Sequence, residues 1–299
     1  MRIPLELAET LAAVVDEGTL DAAARTLHIT PSAVSQRIKS LEEIVGRVVL
    51  LRSRPVRATP DGESVVRLAR QVALLAHDTV AELGVGDDGA RVNIPLGVNA
   101  DSLATWFLPP LARLSEERAV VFDIHRDDQE FTSELLESGT VMGAVTSREV
   151  PVAGCRVSAL GSMRYEAVAT PAFVARWFGD GVTAAELQTA PAVDFDRRDD
   201  LQTRWLLARG VDAAAPPRHR IPASADFAAA VSAGLGWGLL PPFQSADAVR
   251  EGRLIALPGD PVDVPLYWQQ WNLRSELLDA VADAVIAEGR RVLDPVSRR

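Results

Sequence analysis

Cysteine occurs once in the 299 residues, at Cys155, and lysine once, at Lys39; histidine occurs only at His28, His77, His125 and His219. A single cysteine excludes an intramolecular disulfide and any multi-cysteine metal site, and the histidines lie far apart, so neither metal nor cofactor is expected. No apolar run approaches the roughly 20 residues of a membrane span. The N-terminus enters an amphipathic pattern carrying Glu6 and Glu9 instead of a signal-peptide pattern. A cytoplasmic protein without membrane contact is the expectation. Enzyme signatures are also missing: no nucleophile stands in an elbow motif and no phosphate loop occurs. The acidic run DFDRRDD at 194–200 reads as a charged loop, and GLGWG at 234–238 reads as close packing around a turn, since no nucleotide-binding strand precedes it. A non-enzyme is expected.

What is present is ordinary in bulk and uneven in detail. Hydrophobic residues make up 47% and charged residues 24%, which suits a soluble globular chain of two or three domains. Residues 19–43, TLDAAARTLHITPSAVSQRIKSLEE, hold two short helices around a three-residue turn, His28-Ile29-Thr30. Thr19 and Thr30 are placed to cap them, with Pro31 at the tolerated first helical position. Val34, Ile38, Leu41 and Val45 fall on one stripe of the second helix. Ser32, Gln36 and Lys39 point the other way, with Ser35 on their flank. Ala22, Ala23 and Ala24 permit a close helix crossing, and Leu7, Leu11, Val14 and Val15 supply a covering helix. A solvated helical hairpin would look similar, but the charge argues for a polyanionic partner. Residues 19–59 carry seven basic against three acidic side chains in a chain of net charge -10. Arg52, Arg54 and Arg57 follow the apolar run 48–51 and read as a β-ribbon wing that reaches phosphates or a minor groove.

Thr59-Pro60 repeats the cap-then-proline start and predicts one helix of about 24 residues, some 36 Å long at 1.5 Å per residue. Val65, Ala69, Val72, Ala76, Thr79 and Leu83 recur at alternating spacings of four and three, the seam of a two-helix coiled coil. A second copy of the chain would pair there, although a helix packed on its own domain also fits the pattern. Three glycines within 84–89 then mark a domain boundary.

Beyond Arg91, strand-like runs alternate with helical stretches, which predicts parallel sheets with helices on both faces, arranged as two lobes around a cleft. In such folds ligands bind beyond the carboxyl ends of strands. Asn99, Asp101 and Ser102 follow the first strand and open a helix. Asp127, Asp128 and Gln129 follow the second, Thr146 and Ser147 the third, and Asp196 ends a strand of the other lobe. Donors for an α-carboxylate and carboxylates for cations are therefore available, although an N-cap role for Asp101 and a solvated position for each aspartate stay open. Residues 60–299 carry 23 basic against 34 acidic side chains, which favours cations in the cleft.

HITPSAVSQRIKSLEE, VVLLRSRPVRATPDGE, the long helix and GLGWGLLP together resemble the LysR-type transcriptional regulators over essentially the whole chain. SAVSQRIK with NADSLATWF, GAVTSREVPVAGC and YWQQW is similar to the LysG/ArgP subgroup, which senses basic amino acids and activates genes for their export. The resemblance implies an α/β protein with an N-terminal winged helix-turn-helix at 1–58, a long linker helix for dimerisation at 59–83, and a hinge at 84–90. It also implies a two-lobed effector domain, similar to periplasmic binding proteins, at 91–299: lobe I at 91–162 and 270–299, lobe II at 163–269. Its implied partners are double-stranded operator DNA, a lysine, arginine or histidine effector, RNA polymerase, and a second copy as a homodimer that can pair into a tetramer. Base and phosphate contacts are expected from Thr30, Ser32, Ser35, Gln36, Lys39, Arg52, Arg54 and Arg57. Effector contacts are expected from Asn99, Asp101, Ser102, Asp128, Thr146, Ser147 and Asp196. The family usually carries Arg-Gln after its central serine, whereas here Ser35 precedes Gln36-Arg37. Arg37 lies nearer the packing stripe and ranks below its neighbours as a reader. The alternatives are a regulator of this type with a different small effector, or an amino-acid-binding or catalytic protein whose helical head serves only assembly.

Overall fold

Three helices, α1 (Leu5–Glu17), α2 (Leu20–Thr26) and α3 (Pro31–Val45), and a short antiparallel hairpin, β1 (Leu50–Leu51) with β2 (Arg57–Ala58), form the N-terminal head. The computed structural model describes residues 2–51, 53–83, 91–126 and 132–295. Thr19 and Thr30 each accept a backbone N–H three residues on, from Ala22 and Ala33, and so start α2 and α3. His28 sits at φ 54 in the turn, and Gly46, at φ 74, ends α3 in the left-handed conformation. Leu11, Val14, Ala23, Val34, Ile38 and Leu41 fill the head core.

The long helix α4 (Pro60–Glu82) starts where Thr59 accepts the Gly62 N–H, and its 23 residues span about 35 Å. Val65, Val66 and Ala69 are buried in the head core and Leu74 in the core of the C-terminal domain. Val65 and Ala69 therefore do not begin an intermolecular seam, because α1 already covers them. The apolar side chains that α4 leaves exposed are Leu68, Leu75 and Val80, and Leu83 just beyond it, with Val72 half-buried. The glycine-rich stretch 84–90 lies outside the described residues.

In the C-terminal domain the order is β3 (Val92–Val98), α5 (Ala100–Thr105), α6 (Leu108–Glu117), β4 (Val120–Arg126), α7 (Thr132–Glu137), β5 (Gly143–Thr146) and β6 (Cys155–Ala169). There follow α8 (Pro171–Trp177), α9 (Ala184–Leu187), β7 (Ala192–Asp194), α10 (Leu201–Leu207), β8 (Arg218–Arg220) and α11 (Ser224–Ser232). Last come β9 (Gly238–Leu240), α12 (Pro242–Arg250), β10 (Ile255–Ala256), β11 (Val262–Trp271) and α13 (Glu276–Val292). The main sheet has the order β10-β6-β11-β5-β3-β4, with β9 also paired to β6. It is mixed where a parallel sheet was expected. β3 is parallel to β4 and β5, but β11 runs antiparallel to both β5 and β6. The chain leaves lobe I along β6 and returns along β11, and two strands crossing a gap in opposite senses must pair antiparallel. The expected boundary between residues 162 and 163 falls inside the single strand β6. In lobe II, β7 and β8 are parallel and Trp205 stacks near Trp237 with ring centroids 4.8 Å apart. Gly236 lies so close to Pro191 that a Cβ would come within 2.8 Å of its carbonyl oxygen, which accounts for the GLGWG run by packing.

The YWQQW string has a structural explanation. Gln269 is fully buried; its Oε1 accepts the Val152 N–H at 2.8 Å, and its Nε2 donates to the Arg148 carbonyl at 2.9 Å and to that of Val150 at 3.1 Å. Gln270 Oε1 accepts the Trp268 indole N–H at 2.7 Å. Buried amides that satisfy loop backbone in this way fix the loop after β5 on β11. Among the described residues no helix is long and apolar enough to cross a membrane.

Candidate nucleic-acid interface and ligand cleft

On α3 the alternation of packing and polar positions resolves into two faces. Val34, Ile38 and Leu41 are buried, whereas Ser32, Ser35, Gln36 and Lys39 are all exposed. Thr30 is exposed but is used as the cap, and its hydroxyl shares a 2.9 Å hydrogen bond with Ser32 Oγ. Ser35 Oγ donates to the Pro31 carbonyl at 3.0 Å. Gln36 and Lys39 thus offer the longest polar side chains of the outer face. Arg37 has a different role: its guanidinium pairs with Glu6 of α1 and reaches Thr10, pinning α3 to α1. Arg54 and Arg57 stand exposed on the hairpin, whose Val56 N–H is held by the Gly18 carbonyl at 2.9 Å. Arg52 lies outside the described residues. The strand of the wing is shorter than the run 48–51, since only Leu50 and Leu51 pair and Val48 is exposed.

The cleft lies where lobe I and lobe II face each other. β3 and β4 end side by side, Val98 opposite Arg126, so Asn99 and Arg126 emerge on one edge. From the other lobe come the loop after β7 and the start of α11. Together they surround a cavity of about 190 Å³ lined by Asn99, Asp101, Arg126, Tyr165, Phe195, Asp196, Arg198 and Asp199, among others. Asp101 is at the second position of α5 and is not its cap. Its carboxylate accepts the Tyr165 hydroxyl at 2.7 Å and the Ser224 hydroxyl at 2.6 Å, and Gln244 Nε2 in turn donates to Ser224 Oγ at 2.8 Å. This carboxylate ties lobe I to lobe II. Asn99 Oδ1 and Ser102 Oγ are buried and have no hydrogen-bond partner among the described residues. Buried polar atoms in that state are costly unless a bound molecule satisfies them.

Of the expected ligand contacts, the structure brings Asn99, Asp101 and Asp196 to the cavity wall. Ser102 is buried one residue behind it, and Asp128 lies outside the described residues. Thr146 and Ser147 do not line the cavity. Thr146 is buried at the end of β5, where its Oγ1 accepts the Arg148 N–H at 3.1 Å. Asp196 is occupied by its own turn, accepting the N–H groups of Arg198 at 2.7 Å and Asp199 at 3.1 Å. Burial alone would raise its pKa, but those backbone bonds and the Arg198 guanidinium outweigh burial and hold it below the usual carboxylate range.

Asp199 also lines the cavity, a carboxylate not among the residues expected from the sequence. It accepts the Phe195 N–H at 3.1 Å and the Leu201 N–H at 3.0 Å. Burial pushes its pKa up to about 6; the two backbone bonds pull down, and the Asp194 and Asp101 carboxylates push up further. A carboxyl so placed favours an incoming cation, because neutralising it removes both the desolvation cost and the repulsion. Arg126, Tyr165, Ser224 and Gln244 were also missed. Only Tyr165 carried a signal, as one of two tyrosines in the chain.

Comparison with known proteins places this geometry. Residues 5–63 match the family model for the bacterial regulatory helix-turn-helix protein, lysR family, and residues 90–292 match the LysR substrate binding domain. The chain is 43% identical over 289 residues to the lysine export transcriptional regulatory protein LysG of Corynebacterium efficiens, covering 96% of this chain and 98% of that one. Its structure is similar to the crystal structure of ArgP from Mycobacterium tuberculosis, with TM-score 0.87 and 42% identity, covering 98% of this chain and all of that one. It is also similar to full-length LysG from Corynebacterium glutamicum with bound effector Arg, with TM-score 0.77 and 38% identity over 98% of this chain and all of that one.

Proposed function

The chain belongs to the LysR family of bacterial helix-turn-helix transcriptional regulators, and from that premise we propose that it reads an operator with α3 and responds to a basic amino acid held in the interlobe cleft. The observation that carries the ligand assignment is the charge of the cavity wall. Three carboxylates, Asp101, Asp196 and Asp199, face two guanidiniums, Arg126 and Arg198. One negative charge is left over, and an amino acid with a cationic side chain, itself carrying one net positive charge, restores neutrality there.

The chemistry of each part follows. Arg126 and the first N–H groups of α5 meet the α-carboxylate. Asp101, already at the meeting of the lobes, and the unpartnered Asn99 Oδ1 accept the α-ammonium, with Ser102 behind them. Asp199 faces the side-chain cation. Asp196 acts by holding the loop that presents Asp199. A neutral amino acid of the same size would leave Asp199 buried and uncompensated. The arginine-bound LysG of C. glutamicum supports a basic effector, and the lysine export regulator of C. efficiens supports an exporter gene as the target.

At the DNA, Gln36 and Lys39, with Ser32, Ser35 and Thr30, face the major groove, while Arg54, Arg57 and Arg52 meet phosphates or the adjoining minor groove. Two copies joined along the exposed stripe of α4 present two such heads to a two-fold related operator, and pairing of dimers gives the tetramer. Activation then proceeds by contact with RNA polymerase at the exporter promoter. Calorimetric titration of the full chain with arginine, lysine, histidine, leucine and citrulline tests the effector assignment. Binding of one or more basic amino acids, with no heat from leucine or from citrulline, the neutral isostere of arginine, is expected. Equal binding of arginine and citrulline would remove it.

A further inference from the structure

A single guanidinium outside both sites joins the two domains of one chain. Arg70 lies midway along α4 with its side chain largely buried. One of its terminal nitrogens donates to the Gly139 carbonyl and, at 2.8 Å, to that of Thr140, in the turn that follows α7 of lobe I. The other pairs with Asp16 near the end of α1 in the head. The contact is built from both sides. Gly139 has φ 75, and a Cβ there would stand 2.8 Å from Arg67 Cβ, so only glycine lets this turn approach α4 so closely. Carbonyls at the end of a helix carry partial negative charge, which an arginine complements.

Each end of this contact leads to one of the working sites. On the cleft side, α7 packs on β3, which leads into Asn99 of the cavity wall; α7 is also held by Arg148, which donates to Ser133 Oγ at 3.1 Å and to Glu137 at 3.4 Å. On the DNA side, α1 carries Glu6 and Thr10, which hold Arg37 of α3. We infer that Arg70 is a coupling residue: through the turn at 138–140 and Asp16 it fixes the reading head against lobe I, so that a shift of lobe I on ligand binding re-aims α3. This inference rests on the effector reading above only for the identity of the ligand. Arg70 lies neither in the cavity wall nor on α3, so its loss removes communication and leaves binding intact. One guanidinium shared by three elements fixes their relative placement, the condition for a shift of one to be felt by the others.

The test uses the full chain and the variants Arg70→Gln and Asp16→Asn, the latter cutting only the head arm at a half-exposed carboxylate. Hydrogen exchange, read without any ligand, should quicken about tenfold in both segments 14–18 and 138–141 of Arg70→Gln. The ratio of operator affinities with and without arginine should fall toward one in both variants, with arginine affinity itself unchanged within about threefold. The double variant should lose no more than Arg70→Gln alone, because both cut one connection. Unchanged exchange in either segment, or a wild-type affinity ratio in Arg70→Gln, would overturn the inference. If the wild-type chain shows no arginine response, the effector reading fails instead, and exchange still decides whether Arg70 joins the domains.

Discussion

Gln36 and Arg37 are adjacent in sequence and opposite in use. The exposed Gln36 carries readable hydrogen-bonding groups, whereas Arg37 is occupied by Glu6 and Thr10. Gln36→Ala should therefore cut discrimination between operator and random DNA by about 1–3 kcal/mol, the usual worth of a bidentate base contact. Arg57→Ala should weaken both about equally and reduce the salt slope by about one in competition mobility shifts. In the cleft, the raised pKa of Asp199, about 6, fixes a sign. Asp199 is ionised above that value and neutral below it, so arginine binding should weaken as pH falls through 6, by at most about tenfold per unit. The same linkage makes ionised Asp199 a cost to the unliganded fold: its stabilising protonation is complete below the unfolded carboxylate range and lost as pH rises through 6. Asp199→Asn should lower arginine affinity at neutral pH and flatten the pH dependence in calorimetry. The reading face of α3 was legible because helical periodicity alone separates it from the core. Asp199 was not, because in sequence it is one acid in a charged run, and only the folded loop that gives it the Phe195 and Leu201 N–H groups sets it apart.

The helix α4 shows where periodicity stops being informative. Its four-three spacing marks a seam at Val65, Ala69 and Val72, yet the first two are covered by α1 within the same chain. A helix that packs on its own domain and on a second copy carries two apolar stripes, and sequence cannot say which faces inward. The exposed stripe runs through Leu68, Leu75, Thr79 and Leu83 with the half-buried Val72; it keeps Val72, Thr79 and Leu83 of the expected seam and replaces Ala69 and Ala76 by Leu68 and Leu75, one position earlier. If two copies pair along this stripe as proposed, Leu75→Glu should give monomers in light scattering and weaken operator binding, with arginine affinity equal to that of the unaltered chain. At the start of the same helix, a Cβ on Gly62 would lie 2.0 Å from the Val49 carbonyl oxygen. Gly62→Ala should destabilise the head by about 1–3 kcal/mol in thermal unfolding, the cost of overpacking against backbone. The cap at Thr59 and the proline after it were visible in advance because capping chemistry is local; the packing partner is not.

Across the whole molecule charge is segregated, with a basic stretch at 19–59, seven basic against three acidic side chains, and an acidic remainder at 60–299, 23 basic against 34 acidic, inside a chain of net charge -10. That division was legible from composition, as were most helices and strands of lobe I, where apolar runs alternate cleanly. The antiparallel crossover of β6 and β11 was not, since the direction of a strand leaves no mark on its residues. Occupation of the acidic cleft, on the proposed function, changes how the head holds DNA. Fluorescence anisotropy of a labelled operator fragment, titrated with the full chain at fixed salt with arginine or citrulline present, tests this most directly. A shift in operator affinity with arginine, none with citrulline, and no shift on random DNA is the predicted result; operator affinity indifferent to arginine, lysine and histidine alike would contradict it.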